Sequence, residues 1–353
     1  MKFISKSIFV FGTALLATLA TSRADLELPE VSQLAVNKQR IGLTDITITY
    51  HRPLVNARKI WDDLVPLGKV WRAGANENTT IKFSDAVSIE GQPLAKGTYG
   101  LHMIPTADSW TVIFSKMAGA WGSETYKQEE DALRVNVKPR PNEMEEALEF
   151  EFEDLKPDSA MVTMKWEKIA VAFKVAINDA ETTMANIRNQ MRGRAQYEWE
   201  SLNQAAQFCL NKKINLEDGL KWADQSIQRE ERFENLSTKT DILKAQNKPD
   251  EAKKVWDRAL EIANARQIYF YGRQLQSEKR NAEAMAFFQM VTKRFPQHLF
   301  GHLSQARIKS AAGDFAGATE AAKQAQDLAP SEEQKKSIKG VIDRLQAKQD
   351  INK

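Results

Sequence analysis

The hydrophobic period changes once along this chain, near Asn178, and that change limits what it can fold into more than any other feature. Before it, apolar residues recur at every second position, as in Ile46-Thr-Ile-Thr-Tyr50, Thr79-Thr-Ile-Lys-Phe83, Thr111-Val-Ile-Phe114, Leu133-Arg-Val-Asn-Val137 and Leu148-Glu-Phe-Glu-Phe-Glu153. Period two buries one face of an antiparallel sheet and wets the other. About nine or ten short strands are expected between Val31 and Ile177, and one open sheet would leave its apolar face uncovered. An antiparallel β-sandwich or a partly closed barrel is therefore expected. Val162, Met164 and Trp166, then Ile169, Val171, Phe173 and Val175, alternate on either side of Glu167-Lys168, a pattern that predicts a hairpin turned there.

From Asn178 to Lys353 glycine and proline thin out, alanine rises and the period becomes helical. Asn178 with Glu181 three residues on suits a capping box for the first helix. Four segments align as Gly219-x3-Ala223-x2-Ser226, Ala252-x3-Trp256-x2-Ala259, Ala284-x3-Phe288-x2-Val291 and Ala318-x3-Ala322-x2-Ala325, in steps of 33, 32 and 34 residues. The spacing resembles the tetratricopeptide repeat, in which a small residue lets two helices approach. That resemblance implies an α-solenoid of about three stacked units, with Asn178–Lys212 as an added or capping helix and Ser331–Lys353 as a closing one. It also implies a concave surface for a protein or peptide partner. The expected division is residues 1–24, 25–177 and 178–353.

Residues 1–24 have a short basic start (Lys2, Lys6), an apolar run of 14 residues from Ile8 to Thr21, and Ser22-Arg23-Ala24 before the expected cut at Asp25. This is the pattern of a secretory signal peptide. The run falls short of the roughly 18–20 residues that span a bilayer, so no membrane anchor is expected after cleavage, and the mature chain is placed in the periplasm or outside the cell. Removal of Lys2, Lys6 and Arg23 takes the formal net charge from +3 to 0. A neutral chain without a basic stripe is a poor nucleic-acid binder. The single cysteine, Cys209, lies in an apolar helical context and is expected as a buried thiol.

Gly68-Lys-Val-Trp-Arg-Ala-Gly-Ala-Asn-Glu77 has neither period, and packs two cations, an indole, an amide and a carboxylate between glycines. With Ile41–Pro53, Arg58-Lys-Ile60, Leu64–Glu77, Leu94-Ala-Lys-Gly-Thr-Tyr99, Trp110-Thr-Val-Ile113 and Trp121-Gly122, it resembles an uncharacterised exported bacterial family, domain-of-unknown-function family 2911, over residues 31–176. The resemblance implies secretion and, in some members, helical repeats after the β-domain. It implies no agreed activity.

The candidate ligand-binding residues are Arg52, Arg58, Trp71, Arg72, Asn76, Glu77 and His102, with Trp61 and Trp121 nearby in sequence. Indoles stack on sugars or peptides and guanidiniums grip carboxylates, so a small-molecule or glycan ligand is one reading. The other is structural: Glu77 bridged to an arginine, tying the Arg52–Thr79 connection onto the sandwich. His51, His102 and Glu77 would make a metal site only if the fold joined them, and no metal or cofactor is assigned. Asn142–Asp158 holds eight acids against one lysine, expected as a solvated strand face. Phosphate-loop, dinucleotide, nucleophile-elbow and zinc-protease motifs are missing. The leading expectation is an exported protein whose β-domain binds a small ligand or envelope component while its helical repeats hold a protein partner, with an envelope hydrolase using Glu77 as acid or base, or a purely structural assembly protein, as alternatives.

Overall fold

The computed structural model describes residues 28–353, so the expected signal peptide and its cleavage point lie outside the described residues. The chain divides into two compact units, with the boundary after Thr182.

Among the described residues the first unit holds ten strands. One antiparallel sheet has the order β1 (Gln33–Ile41), β2 (Thr44–Arg52), β3 (Thr80–Phe83), β6 (Gly97–Pro105), β7 (Trp110–Ser115), β8 (Asp131–Val137). The other runs β5 (Gln92–Leu94), β4 (Val87–Ile89), β10 (Ser159–Ile177), β9 (Pro139–Glu153). Neither closes into a barrel. The alternation seen in the sequence sets the inner faces: Ile46, Ile48 and Tyr50 of β2 are buried while Thr47 and Thr49 are not. Tyr50 meets Phe150 at 4.9 Å and Phe114 meets Phe173 at 5.5 Å, so aromatic contacts join one sheet to the other.

The expected hairpin at Glu167-Lys168 is absent. Lys165, Glu167 and Ile169 pair in turn with Glu149, Glu145 and Pro141, so β10 continues along β9 without reversing. Glu167 has φ +55°, and the ladder is irregular on both sides of it. One left-handed residue exchanges inward and outward faces, moving burial from even positions (Val162, Met164, Trp166) to odd ones (Val171, Phe173, Val175). A change of parity without a change of direction imitates a turn in the sequence.

Helix α1 (Asp179–Gln190), within which the boundary falls, starts under Asn178, whose side chain accepts from Glu181 N at 3.2 Å. Antiparallel helix pairs follow: α2 (Trp199–Lys212) with α3 (Leu216–Arg229), α4 (Phe233–Ala245) with α5 (Pro249–Ile262), α6 (Ala265–Ser277) with α7 (Asn281–Arg294), and α8 (Leu299–Ala311) with α9 (Phe315–Asp327). Helix α10 (Glu332–Gln346) closes the array. Four pairs therefore form rather than three, because Asn178–Lys212 holds two helices and the second packs on α3. The aligned small positions are the contact points: Ala252, Ala284 and Ala318 are buried between partners. Among the described residues, no helix is long and apolar enough to cross a membrane.

Candidate functional site

The 68–77 segment is held as a specified loop. Trp71 and Met103 exchange backbone hydrogen bonds, both at 2.8 Å, Gly68 N donates to Pro105 O, and Thr79 Oγ1 donates to Ala73 O at 3.0 Å. Asn76 takes φ +53°, a conformation that asparagine tolerates better than most residues. The loop contributes Trp71 to a cluster of four indoles. Trp71 stacks on Trp166 at 5.8 Å with 16° between planes, and Trp61 sets its edge against Trp71, Trp110 and Trp166.

A cleft of about 420 Å³ opens beside Trp71 and Trp166. Its cationic lining residues are Arg58, Lys69 and Arg72, and its one acid is Glu124. Arg58 also donates to the carbonyls of Val55 and Leu54. Among the described residues Arg72 has no hydrogen-bond or ion-pair partner, and its Nε is enclosed. Gly122 permits this arrangement: a Cβ there would press first on Glu124 Oε2 and sit 2.7 Å from Arg72 Nη1, on a backbone at φ +70°. Ser123 Oγ and Trp166 Nε1, on residues that line the same cleft, are enclosed and unpartnered too.

The other candidates go elsewhere. Arg52 Nε donates to Leu148 O at 2.8 Å and its Nη2 faces Glu149 at 3.3 Å, so it fastens β2 to β9. His102 is buried against the Tyr126 ring at 5.3 Å, and burial pushes its pKa down to about 4 against the opposing pull of Asp131. Trp121 is exposed and pairs by backbone with Glu77. Among the described residues Glu77 forms no ion pair with an arginine. Its carboxylate lies 3.3 Å from His51 Nδ1, while His51 Nε2 lies 2.9 Å from Glu30. Asn76 Nδ2 donates to that same Glu30 carboxylate at 2.7 Å. Glu30, His51 and Glu77 thus form a group, each offering one ligand atom within 4.8 Å of the others, and His102 is outside it. Glu30 carried no signal in the sequence, since Leu28-Pro-Glu-Val31 has neither motif nor period.

A groove runs along the first helices of the repeat pairs. One stretch of about 840 Å³ is lined from α2, α4, α6 and the cap of α6 by polar residues such as Asn211, Thr238, Asn264 and Gln274 and by two acids, Glu234 and Asp241. The next, of about 530 Å³, is lined from α6, α8 and α10 and from the turn after α9. Arg266 and Phe270 line both, which makes the groove continuous. The second stretch is apolar (Phe270, Leu299, Phe300, Leu303, Leu328, Ile338) and carries Arg266, Arg273 and Arg307 with no acidic residue in its lining. His298 caps α8, its Nδ1 accepting from Phe300 N at 3.2 Å. Arginines 266 and 273 are seven apart on one helix, two turns along the same face, and that spacing was the available signal for this surface.

No curated protein matches the chain. Among solved structures, the helical region is similar to YrrB, described as a TPR protein with an unusual peptide-binding site, at 17% identity over 46% of this chain and 84% of that one, with a TM-score of 0.26. It is also similar to MamA, at 14% identity over 45% of this chain and 91% of that one, with a TM-score of 0.28. Residues 32–175, the strands and the loop that build the indole cleft, match the model of the family described as Protein of unknown function (DUF2911).

Proposed function

We propose that this is an exported binding protein whose helical unit holds an acidic, apolar-anchored segment of a partner protein. The observation that carries the reading is the lining of the α6–α8–α10 stretch: three arginines, an apolar floor and no carboxylate. Arg307 is buried and its neighbours are neutral acceptors, the Tyr269 hydroxyl, Gln276 Oε1 and Ile351 O. A carboxylate brought by a ligand would supply the missing charge in a site already partly desolvated. The polar stretch beside it supplies amide side chains suited to an extended backbone. The test is fluorescence anisotropy with short peptides that carry Asp or Glu around one Leu or Phe, against the same peptides with Lys for acid. Acidic peptides should bind more tightly, and Arg266→Glu with Arg273→Glu should weaken them at least about tenfold, an effect that shrinks in high salt. Equal binding of acidic and basic peptides would sink the reading.

A second binding reading rests on Arg72. A partly buried guanidinium with no hydrogen-bond or ion-pair partner among the described residues, beside two stacked indoles, suits a small carboxylate-bearing ligand with a flat or apolar body. A panel of organic acids and charged sugars in a thermal-shift assay tests it, because binding to the native state alone raises Tm. The shift should vanish in Arg72→Met; a shift that survives that change would place the ligand elsewhere. Export rests on the leader pattern of residues 1–24, and N-terminal sequencing of the mature protein, expected to begin at Asp25, tests it.

A further inference from the structure

We infer that Glu30, His51 and Glu77 form a divalent-cation site in the β-domain, of the class that takes imidazole and carboxylate ligands. Both nitrogens of the His51 ring face carboxylate oxygens, Nε2 toward Glu30 at 2.9 Å and Nδ1 toward Glu77 at 3.3 Å. A neutral imidazole has one N–H and one lone pair, so it satisfies one of these contacts and sets lone pair against lone pair in the other. A cation bound at one ring nitrogen takes that lone pair and leaves the other nitrogen its N–H to donate, which removes that conflict. Charge points the same way. Among the described residues neither Glu30 nor Glu77 forms an ion pair with a lysine or arginine. Two carboxylates carry −2, an imidazolium returns only +1, and a divalent ion neutralises the pair.

The geometry suits a metal in other respects. One ligand atom from each residue lies within 4.8 Å of the other two, and both glutamates are about half exposed, which leaves their rotamers free to close on an ion. His51 is buried and paired with Leu34 in the β1–β2 ladder, so the imidazole forms the rigid corner of the site. Asn76 donates at 2.7 Å to Glu30 Oε2, the oxygen that faces His51 Nε2, and so holds that carboxylate in place beside the ring. Two oxygens and one nitrogen leave positions open for water or a ligand atom, and an imidazole in the set favours zinc and its neighbours over magnesium or calcium. The three residues come from the segment before β1, from β2 and from the 68–77 loop, so a bound ion would cross-link three parts of the chain. The inference stands apart from both binding readings above, since none of its three residues lines the cleft at Arg72 or the helical groove.

The test uses the whole, tag-free protein stripped with a chelator and titrated calorimetrically with Zn²⁺, Mn²⁺, Mg²⁺ and Ca²⁺, with Co²⁺ absorption as a ligand-field readout. The expected result is one Zn²⁺ per chain, little or no response to Mg²⁺ and Ca²⁺, a rise in Tm with Zn²⁺, and an affinity reduced at least about tenfold in each of Glu30→Gln and Glu77→Gln. Those two changes are isosteric and half exposed, so the fold persists, which far-UV circular dichroism verifies; His51→Gln is the third arm. Failure of Zn²⁺ to saturate one site per chain, or binding undiminished in both glutamine variants, overturns the inference.

Discussion

Arg307 Nε donates to the Tyr269 hydroxyl at 3.0 Å, and its guanidinium carbon lies 5.7 Å from the centre of that ring and 5.6 Å from the centre of Phe288. A cation is thus buried on aromatic faces with neutral acceptors as its partners, and burial pulls its pKa below the ordinary value. Its Nη1 also donates to Ile351 O at 2.8 Å, while Asn352 Nδ2 donates back to Arg307 O at 3.0 Å. The last residues of the chain therefore dock on α8 through Arg307 and through Ser310, whose Oγ donates to Asp350 and accepts from Ile351 N.

Arg307→Ala should lower unfolding stability by about 2–4 kcal/mol, since it opens a cavity between two rings and strands several acceptors. Arg307→Met keeps the volume and removes a charge that lacks an acid partner, so it should cost about half as much or less. Urea unfolding followed by circular dichroism measures both. Equal losses would mean that the charge, and not the packing, holds the site.

Trp166 is enclosed under Trp71, and its Nε1 has no partner. Its contribution is therefore packing, and Trp166→Ala should cost about 3–5 kcal/mol, whereas Trp166→Phe leaves no hydrogen bond behind and should cost much less. Trp71 is only partly buried, so Trp71→Ala should cost less than Trp166→Ala. Chemical denaturation of the three variants ranks them.

Legibility in the sequence followed the range of the interactions involved. Alternation within β2 and β9, the capping of α1 by Asn178 and the small residues at Ala252, Ala284 and Ala318 are local effects, and each is visible over a few positions. The 68–77 loop was visible as an element because its composition fits neither period. Its partners were not. Glu77 meets His51 and Glu30 across sequence distances that β-pairing alone decides, and Glu30 sits in a segment without pattern. Arg52 and Arg72 look alike as sequence, yet strand register aims the first at carbonyls of β9 and leaves the second at the cleft. The false hairpin at Glu167 has the same origin, a single backbone dihedral that no side-chain pattern encodes.

His102 makes the β-domain sensitive to acid. Its folded pKa is about 4 and the ordinary value is 6.5, so between those pH values the unfolded chain binds the extra proton and the folded chain does not. The stabilisation is complete above about pH 6.5 and is lost as pH falls toward 4, with a ceiling on the order of 3 kcal/mol. His102→Gln should flatten this part of the profile, so that the difference in urea midpoint between pH 7.5 and pH 4.5 becomes smaller than in the unsubstituted protein. An unchanged difference would assign the acid sensitivity to other groups.

Cys209 reports on the contact between α2 and α3. The thiol is fully buried, burial followed by the nearby Asp218 charge pushes its pKa up to about 11, and its sulfur lies 3.7 Å from the Met184 sulfur. At pH 8 only about 0.1% would be thiolate, so a disulfide reagent should leave the native protein unlabelled and titrate one thiol per chain after denaturation. Gly219 faces it across the helix pair: a Cβ at that position would lie 2.8 Å from Cys209 Cβ. Gly219→Ala should therefore push α3 away from α2, lower stability by about 1–3 kcal/mol and make labelling of Cys209 faster under native conditions. Loss of stability without faster labelling would show that the strain is relieved elsewhere, and neither effect would mean that the two helices are not held as close as their small residues permit.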